Sequence, residues 1–442
     1  MLSENSAMAL RDKILGAIDD FAYTEDGLIY PVYTTVKTDI VLPRWAECVS
    51  VNTFAGICSE VERVVLNDTI SMICQDGFLS CIKLVEIIIP DSVVSVGLRA
   101  FSDCKELRRV RLSSSMKKIE SHCFSWCTSL EEVSIPDSVT SIDSYAFYMC
   151  QSLRGIILPD FLLEIGVHCF HGSALEEIKI PDTVLELSEQ TFFKCYQLKN
   201  VELGNFTASV SGGCFEGCTS LEKIVIPDTV LALVDSTFKG CKLLKSVVLP
   251  KNLKSIEFSC FSNCDSLESI SVPDSVVKLG SFAFAECILL KEVRLSESLC
   301  KIDDYCFSNC KSLESIDIPD SITELWRCTF KLCTSLRNVK LSNSLKVIGQ
   351  ECFSSCKSLE SIIIPDSVTS LTSDAFSGCS VLKTVRLSNR LELIDKWCFA
   401  FCDELSDIII PESVTSLSST AFRDTPYEKK IMNQNDVRNM RH

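Results

Sequence analysis

The sequence predicts a repeat solenoid of about 17 coils of 23 residues, each adding a short strand to a parallel β-sheet and closing through a short helical turn. Three observations predict it. Phenylalanine recurs every 23 residues from Phe78 to Phe170 and, after one interval of 22 and Phe192, from Phe215 to Phe422, with Phe54 opening the series. Between phenylalanines the apolar residues alternate over a few positions, as Leu359, Ile362 and Ile364 do, which is the period-two signal of a strand. A turn follows each strand, as at Pro365, Asp366 and Ser367.

The coil at 352–379 shows how one repeat is expected to run. After the turn, Val368 and Leu371 face inward, and 373–376 (Ser-Asp-Ala-Phe) supplies a helical turn that packs its Ala, Phe and following Cys inside. Units of this size cannot bury an apolar face alone, so neighbouring coils must stack. Their strands then lie about 4.8 Å apart.

The chain divides by this period into three segments. Residues 1–39 fall outside it and form an N-terminal capping segment: Leu10, Ile14 and Ile18 at helical spacing predict an amphipathic helix, and Asp26 with Gly27 predicts a hairpin turn before Tyr30 and Tyr33. The solenoid occupies 40–425, seventeen strands if counted from Ile40 to Ile410. Residues 426–442 are a polar tail that either caps the far end or stays disordered.

Coils alternate in kind. One carries IPDSV, at Ile135, Ile180, Ile226, Val272, Ile318 and Ile364; the other carries a looser LSxSL, at Leu112, Leu295, Leu341 and Leu387. The true repeat is therefore a pair of coils. Seven residues after the phenylalanine the charge alternates from Arg108 and Glu131 through to Glu360 and Lys383, so each charge stacks between opposite ones. A slip of one coil would set like against like, which makes the row a register lock. The Asp of each PDS reads as a turn residue rather than a calcium ligand.

Composition narrows the function classes. A net charge of −16 argues against unspecific binding to nucleic acid or an anionic membrane. No run approaches 18 apolar residues, and no secretory signal is evident, so there is no transmembrane segment and a cytoplasmic location is expected. Of 26 cysteines, most sit three after or one before the phenylalanine. Pairs such as Cys306 and Cys310 lack zinc spacing, and equivalent residues of stacked coils point the same way, which is poor disulfide geometry. They are expected to be buried thiols acting as small hydrophobes, in keeping with a reducing compartment. The histidines, His122, His168, His171 and His442, fall in no catalytic motif, and no P-loop, GxGxxG or kinase signature occurs. No enzyme, no cofactor and no metal is expected. Asn67-Asp-Thr and Asn205-Phe-Thr match glycosylation acceptors, which matter only in an exported protein.

Repeats of the form CFxxCxSLxxIxIPDSVTxI, over 40–425, resemble the BspA-like leucine-rich repeats. The resemblance implies a leucine-rich-repeat solenoid and, as the second reading of function, a cell-surface or secreted adhesin that binds host or matrix proteins. The first reading is a non-catalytic scaffold whose long strand face docks a protein partner, with the oligomeric state left open. The candidate strip is the central outward residue of each strand: Ile157, Val225, Val248, Arg294, Asp317, Lys340, Ile363 and Arg386. A second candidate is the aromatic row at His122, Tyr145, His168, Phe282, Tyr305 and Trp397, some of whose members are expected to pack on neighbouring coils.

Overall fold

The fold was analysed in a computed structural model, which describes residues 21–23, 29–31, 39–54 and 56–430. Two compact units, Met1–Thr207 and Ala208–His442, make up the chain. Both are built of the same coil. In the coil around Phe353, Leu359, Ile362, Ile364, Val368 and Leu371 are at most 3% exposed, and their alternation with outward residues is what bends the chain around a dry interior. Phe353 lies parallel to Phe376 at 5.3 Å between ring centroids, and such stacks run through each unit.

Most coils carry two strands, not one. In the first unit the outer face begins with five parallel strands, Asp39–Val41, Arg63–Val65, Glu86–Ile88, Arg109–Arg111 and Glu132–Ser134. Glu177–Lys179 and Asn200–Glu202 form a further parallel pair. Two-residue strands make a second face, Cys48–Val49, Met72–Ile73 and Ser95–Val96, then Lys118–Ile119, Ser141–Ile142 and Glu164–Ile165. The second unit repeats the scheme. Its short strands form ladders from Ala232–Leu233 to Lys301–Ile302 and from Glu324–Leu325 to Ser416–Leu417.

Fifteen of the seventeen outer-face strands expected from the period form among the described residues. The coils at 156–158 and 408–410 have none. At the first, Gly155 occupies a strand position where it weakens pairing, and the following coil is the one shortened to 22 residues. At the second, the coil is of the IPDSV kind and its LSxSL partner never follows. That partner matters, because outer strands of the second unit pair two by two. Ser269–Ser271 bonds Glu292–Arg294, Ser315–Asp317 bonds Asn338–Lys340, and Ser361–Ile363 bonds Thr384–Arg386. Backbone amides at 155–158, which lack the strand ladder, are therefore expected to exchange hydrogen faster than those at 132–134 and 177–179. Hydrogen-exchange mass spectrometry on the whole chain tests this, and equal protection of the three segments would refute it.

The helical turn is corrected. In place of a helix the turn carries two left-handed residues, Asp374 (φ 58°) and Gly378 (φ 72°) in this coil, with counterparts such as Tyr305 (φ 59°) and Asn309 (φ 62°) elsewhere. Alternate amides serve different partners. Ala375 and Ser377 donate within the turn, to Thr372 O and Asp374 O, whereas Asp374, Phe376 and Gly378 donate to Lys396, Cys398 and Ala400 of the next coil at 2.8–3.1 Å. A helix would use all these donors internally and leave the stack without its third ladder. Left-handed non-glycine residues cost on the order of 1–3 kcal/mol each, which the ladder offsets.

Two further corrections concern the cysteines. One disulfide does form, between Cys58 and Cys81, with Cα atoms 4.5 Å apart. Cys58 lies four residues after Phe54, in a coil lengthened by one before it, and Val61 N–H donates to its carbonyl as Leu84 N–H does to that of Cys81, so the two are stacked equivalents and the expectation that such pairs do not bridge fails here. The thiols are also more than small hydrophobes. Three residues after phenylalanine, most cysteines reach with Sγ the phenylalanine carbonyl of the preceding coil, Cys356 to Phe330 O at 3.3 Å and Cys379 to Phe353 O at 3.2 Å among them. The weak S–H donor thereby fills the second lone pair of a carbonyl that already accepts the cysteine N–H of its own turn, as Phe330 O accepts Cys333 N.

At the ends, Phe21–Tyr23 and Ile29–Pro31 pair antiparallel, as a hairpin requires. The expected helix at Leu10, Ile14 and Ile18 and the turn at Asp26 and Gly27 lie outside the described residues. After Phe422 a helix begins at 426. Its start is closed by a variant of the capping box: Thr425 Oγ1 accepts from Glu428 N at 3.1 Å, and Glu428 Oε2 accepts from the residue before the cap, Asp424 N, at 2.8 Å. Tyr427 packs edge-on against Phe422 and its N–H donates to Leu405 O, so the described part of the tail covers the last coil.

Candidate functional site

The strand-face residues arise from one local rule: the middle residue of an outer strand points away from the core between two backbone-paired neighbours. In the first unit Ile157 is 88% exposed, on the coil that lacks a strand. In the second, Val225 and Val248 stand side by side in register, 64% and 52% exposed. Farther along, Asp317 faces Lys340 and Ile363 faces Arg386.

The arginines of the strip are already engaged. Arg294 donates to both carboxylate oxygens of Asp274, at 3.0 and 2.9 Å, and Arg386 donates to Asp366 at 3.3 Å. These aspartates belong to the PDS turn of the preceding coil. They stand in the turn as expected and take on a second task there. Oδ1 of Asp91, Asp228, Asp274, Asp320 and Asp366 accepts the backbone N–H of the residue 23 further on, at Ser114, Lys251, Glu297, Asn343 and Asn389. These bonds at Asp91 and Asp320, and at Asp274 the Arg294 guanidinium first and the amide bond second, hold the carboxyls below their ordinary range. In the partner coil a buried serine completes the joint: Ser296 Oγ donates to Val276 O and accepts from Ser298 N. The alternation of IPDSV and LSxSL is thus a two-part lock between adjacent coils.

The alternating charge row is paired too. Arg108 meets Glu131 at 2.9 Å and Glu176 bridges Arg154 and Lys199 at 3.0 Å in the first unit; Lys245 meets Glu222 and Lys291 meets Glu268 in the second. Both sequon asparagines are held by neighbouring coils. Asn67 Nδ2 donates to Leu42 O and Pro43 O, and Asn205 Nδ2 donates to the Asp182 carboxylate.

The aromatic row presents edges rather than faces. His122 stacks on Tyr145 at 4.5 Å and Tyr145 on His168 at 4.8 Å, while Phe282 stacks on Tyr305 at 4.7 Å and Lys396 lies over Trp397. With faces occupied by neighbours, the row is not a platform on which a flat ligand could stack.

Sequence reasoning overlooked two features. Val41 and Val65 precede Ile88 on neighbouring strands of the first unit, each more than half exposed, although the outward position of the repeat identifies them. A cleft of 290 Å³ opens on the second face of that unit, lined by Lys118, Asp143, Leu163, Glu164, Glu186 and Ser188 among others. Its signal is the shortened coil, which interrupts the two-residue ladder after Glu164–Ile165. Among the described residues no three His, Cys, Asp or Glu side chains converge as metal ligands would. No helix there is long and apolar enough to cross a membrane.

Chemistry at the thiols is suppressed by burial, which raises Cys333 and Cys379 to about 12 and others further. Only the thiolate is a good nucleophile. In the folded chain a maleimide reagent is therefore expected to modify exposed Cys300 first, half-buried Cys48 and Cys74 more slowly, and the ladder thiols only on unfolding. Peptide mass mapping after a timed pulse reads this; early modification of Cys310 or Cys356 would contradict it.

Comparison with known proteins agrees with this geometry. The BspA type leucine rich repeat region matches six overlapping stretches, residues 47–174, 117–245, 163–289, 208–337, 254–379 and 324–441. A leucine-rich repeat protein of Bacteroides ovatus is 27% identical over 92% of this chain and 97% of its own, with a TM-score of 0.73. A leucine rich cell surface protein of Faecalibacterium prausnitzii is 25% identical over 84% of this chain and 94% of its own, with a TM-score of 0.44. No curated protein matches. Period, paired coils and family match coincide over the same residues: the chain belongs to the BspA-type leucine-rich-repeat family.

Proposed function

We propose that this chain is a non-catalytic scaffold that docks a protein partner on the outer strand face. The observation that carries this reading is the pair Val225 and Val248, branched aliphatics exposed side by side on a rigid ladder. Exposed apolar neighbours rimmed by polar residues are the usual core of a protein contact. Farther along the same face Asp317, Lys340 and Ile363 supply a mixed continuation, while Arg294 and Arg386, held by aspartates, act as a shaped, charge-neutralised edge. In the first unit Ile157 extends the reading together with Val41, Val65 and Ile88.

A photo-crosslinking residue placed at Val225, Val248 or Ile363 in cells of the source organism tests it, with Ser308 on the turn as control. Discrete adducts from the strand face and none from the control support the reading. Adducts from the control alone, or from neither, would overturn it. The same face serves equally in an adhesin that binds a host or matrix protein, a role in keeping with the family. Labelling intact cells with an impermeant amine reagent separates the two settings: tagging without lysis places the partner outside the cell, and tagging only after lysis places it inside.

A further inference from the structure

One pair of side chains in the first unit is arranged as metal ligands are, apart from the strand face. His168 and His171 flank Cys169 and Phe170, both of which are fully buried. The left-handed backbone at His168 (φ 55°) and bonds to neighbouring coils, His168 N to Glu189 O and Met149 N to His171 O, fix where the two side chains leave the turn. Aromatic rings then fix how they point. His168 lies against Tyr145 at 4.8 Å, and His171 is held between Tyr148 at 4.7 Å and Phe193 at 4.8 Å. The result is two Nδ1 atoms 3.1 Å apart, with ring centroids separated by 5.2 Å.

That spacing has two physical uses. One ring can donate its Nδ1–H to the other, which satisfies the pair without a ligand. Alternatively both can present lone pairs to a cation. Imidazole nitrogen binds such ions at about 2.0–2.1 Å, so two rings on one ion, at angles from square-planar to tetrahedral, need nitrogens about 2.9–3.3 Å apart. The observed separation matches this bite, and each ring must swing by roughly 40° from the line joining the nitrogens to aim its lone pair at a shared ion. Lys194, held over the Phe193 ring, and Glu189, near His168, place opposite charges on the two flanks.

We propose that His168 and His171 form a two-imidazole chelating site for a borderline divalent transition ion, with water filling the remaining positions. The ligand set selects Cu²⁺ ahead of Ni²⁺ and Zn²⁺ and ignores Mg²⁺ and Ca²⁺, which require oxygen ligands.

Copper(II) electron paramagnetic resonance on the full chain, with Cys48, Cys74 and Cys300 changed to Ser so that accessible thiols do not compete, reads the site directly. One equivalent of CuCl2 is expected to give a signal split by two nitrogens. His168→Phe and His171→Phe, which keep an aromatic ring in the stack, should each abolish it, while His122→Phe should leave it unchanged. ZnCl2 is expected to shift the side-chain nitrogen resonances of these two histidines and of no others, a measurement on the unsubstituted imidazoles that stands even if a phenylalanine variant fails to fold. Copper bound without nitrogen splitting, binding that survives His168→Phe in a folded chain, or unshifted imidazole resonances at a tenfold excess of zinc would each overturn the proposal.

Discussion

Phe307→Ala is expected to lower the stability of its part of the solenoid by about 3–5 kcal/mol, the cost of emptying a fully packed aromatic site. The ring is wholly buried and lies parallel to Phe284 at 5.3 Å and Phe330 at 5.5 Å, so its removal opens a void between two rings that cannot close without breaking the coil spacing. The backbone there is pinned as well: Phe307 N donates to Thr329 O, and Phe307 O accepts the Cys333 thiol. Relaxation is therefore small, and the loss should fall at the upper end of the range. In a stack where each coil touches only its neighbours, the damage is local, so urea unfolding should be read with hydrogen exchange. Lost protection is expected to centre on the coils from Phe284 to Phe330. Phe422→Ala, at the end of the stack and with one parallel neighbour, should cost about half as much. A loss below about 1 kcal/mol at Phe307 would mean that the phenylalanine column is not the principal core.

Much of this was legible in the sequence because the repeat reports on packing many times over. Leu359, Ile362, Ile364, Phe353 and their counterparts were assigned inward from alternation alone, and they are buried. The second face was not legible, since strands such as Ser370–Leu371 are too short for any alternation to show. The turn misled because Ser-Asp-Ala-Phe reads as the start of a helix, and nothing local reveals that every second amide is claimed by the next coil. The same blindness to neighbouring coils hid the partners of Asp274 and Asp366. An aspartate after proline has an adequate local explanation as a turn residue, so the bond to a backbone 23 residues away goes unlooked for. The residues of the candidate strip point outward, as alternation requires, but that two of its arginines are held by those aspartates needed side-chain geometry.

Cys356 separates the two accounts of the thiols. If it is only a small hydrophobe, alanine should be the mild replacement and serine the harmful one, because serine buries a hydroxyl. The structure gives the opposite order. Cys356 Sγ lies 3.3 Å from Phe330 O, and burial keeps the thiol protonated and able to donate. Alanine removes the donor and leaves a sulfur-sized gap, roughly 1.5–2.5 kcal/mol in all; valine removes the donor and overpacks, about 1–3 kcal/mol; serine retains a donor in nearly the same place and should cost about 1 kcal/mol or less. Nature has made this substitution in the shortened coil, where Ser173 occupies the cysteine position, is buried, and bonds the sulfur of Cys195. Urea unfolding of the three variants decides the matter, and serine proving worse than alanine would return the ladder to a purely apolar role. Because the thiol gives Phe330 O its second donor beside Cys333 N, the penalty for alanine should appear in the exchange of amides around Phe330 as well as those around Cys356. A cavity alone would loosen only the residues that line it.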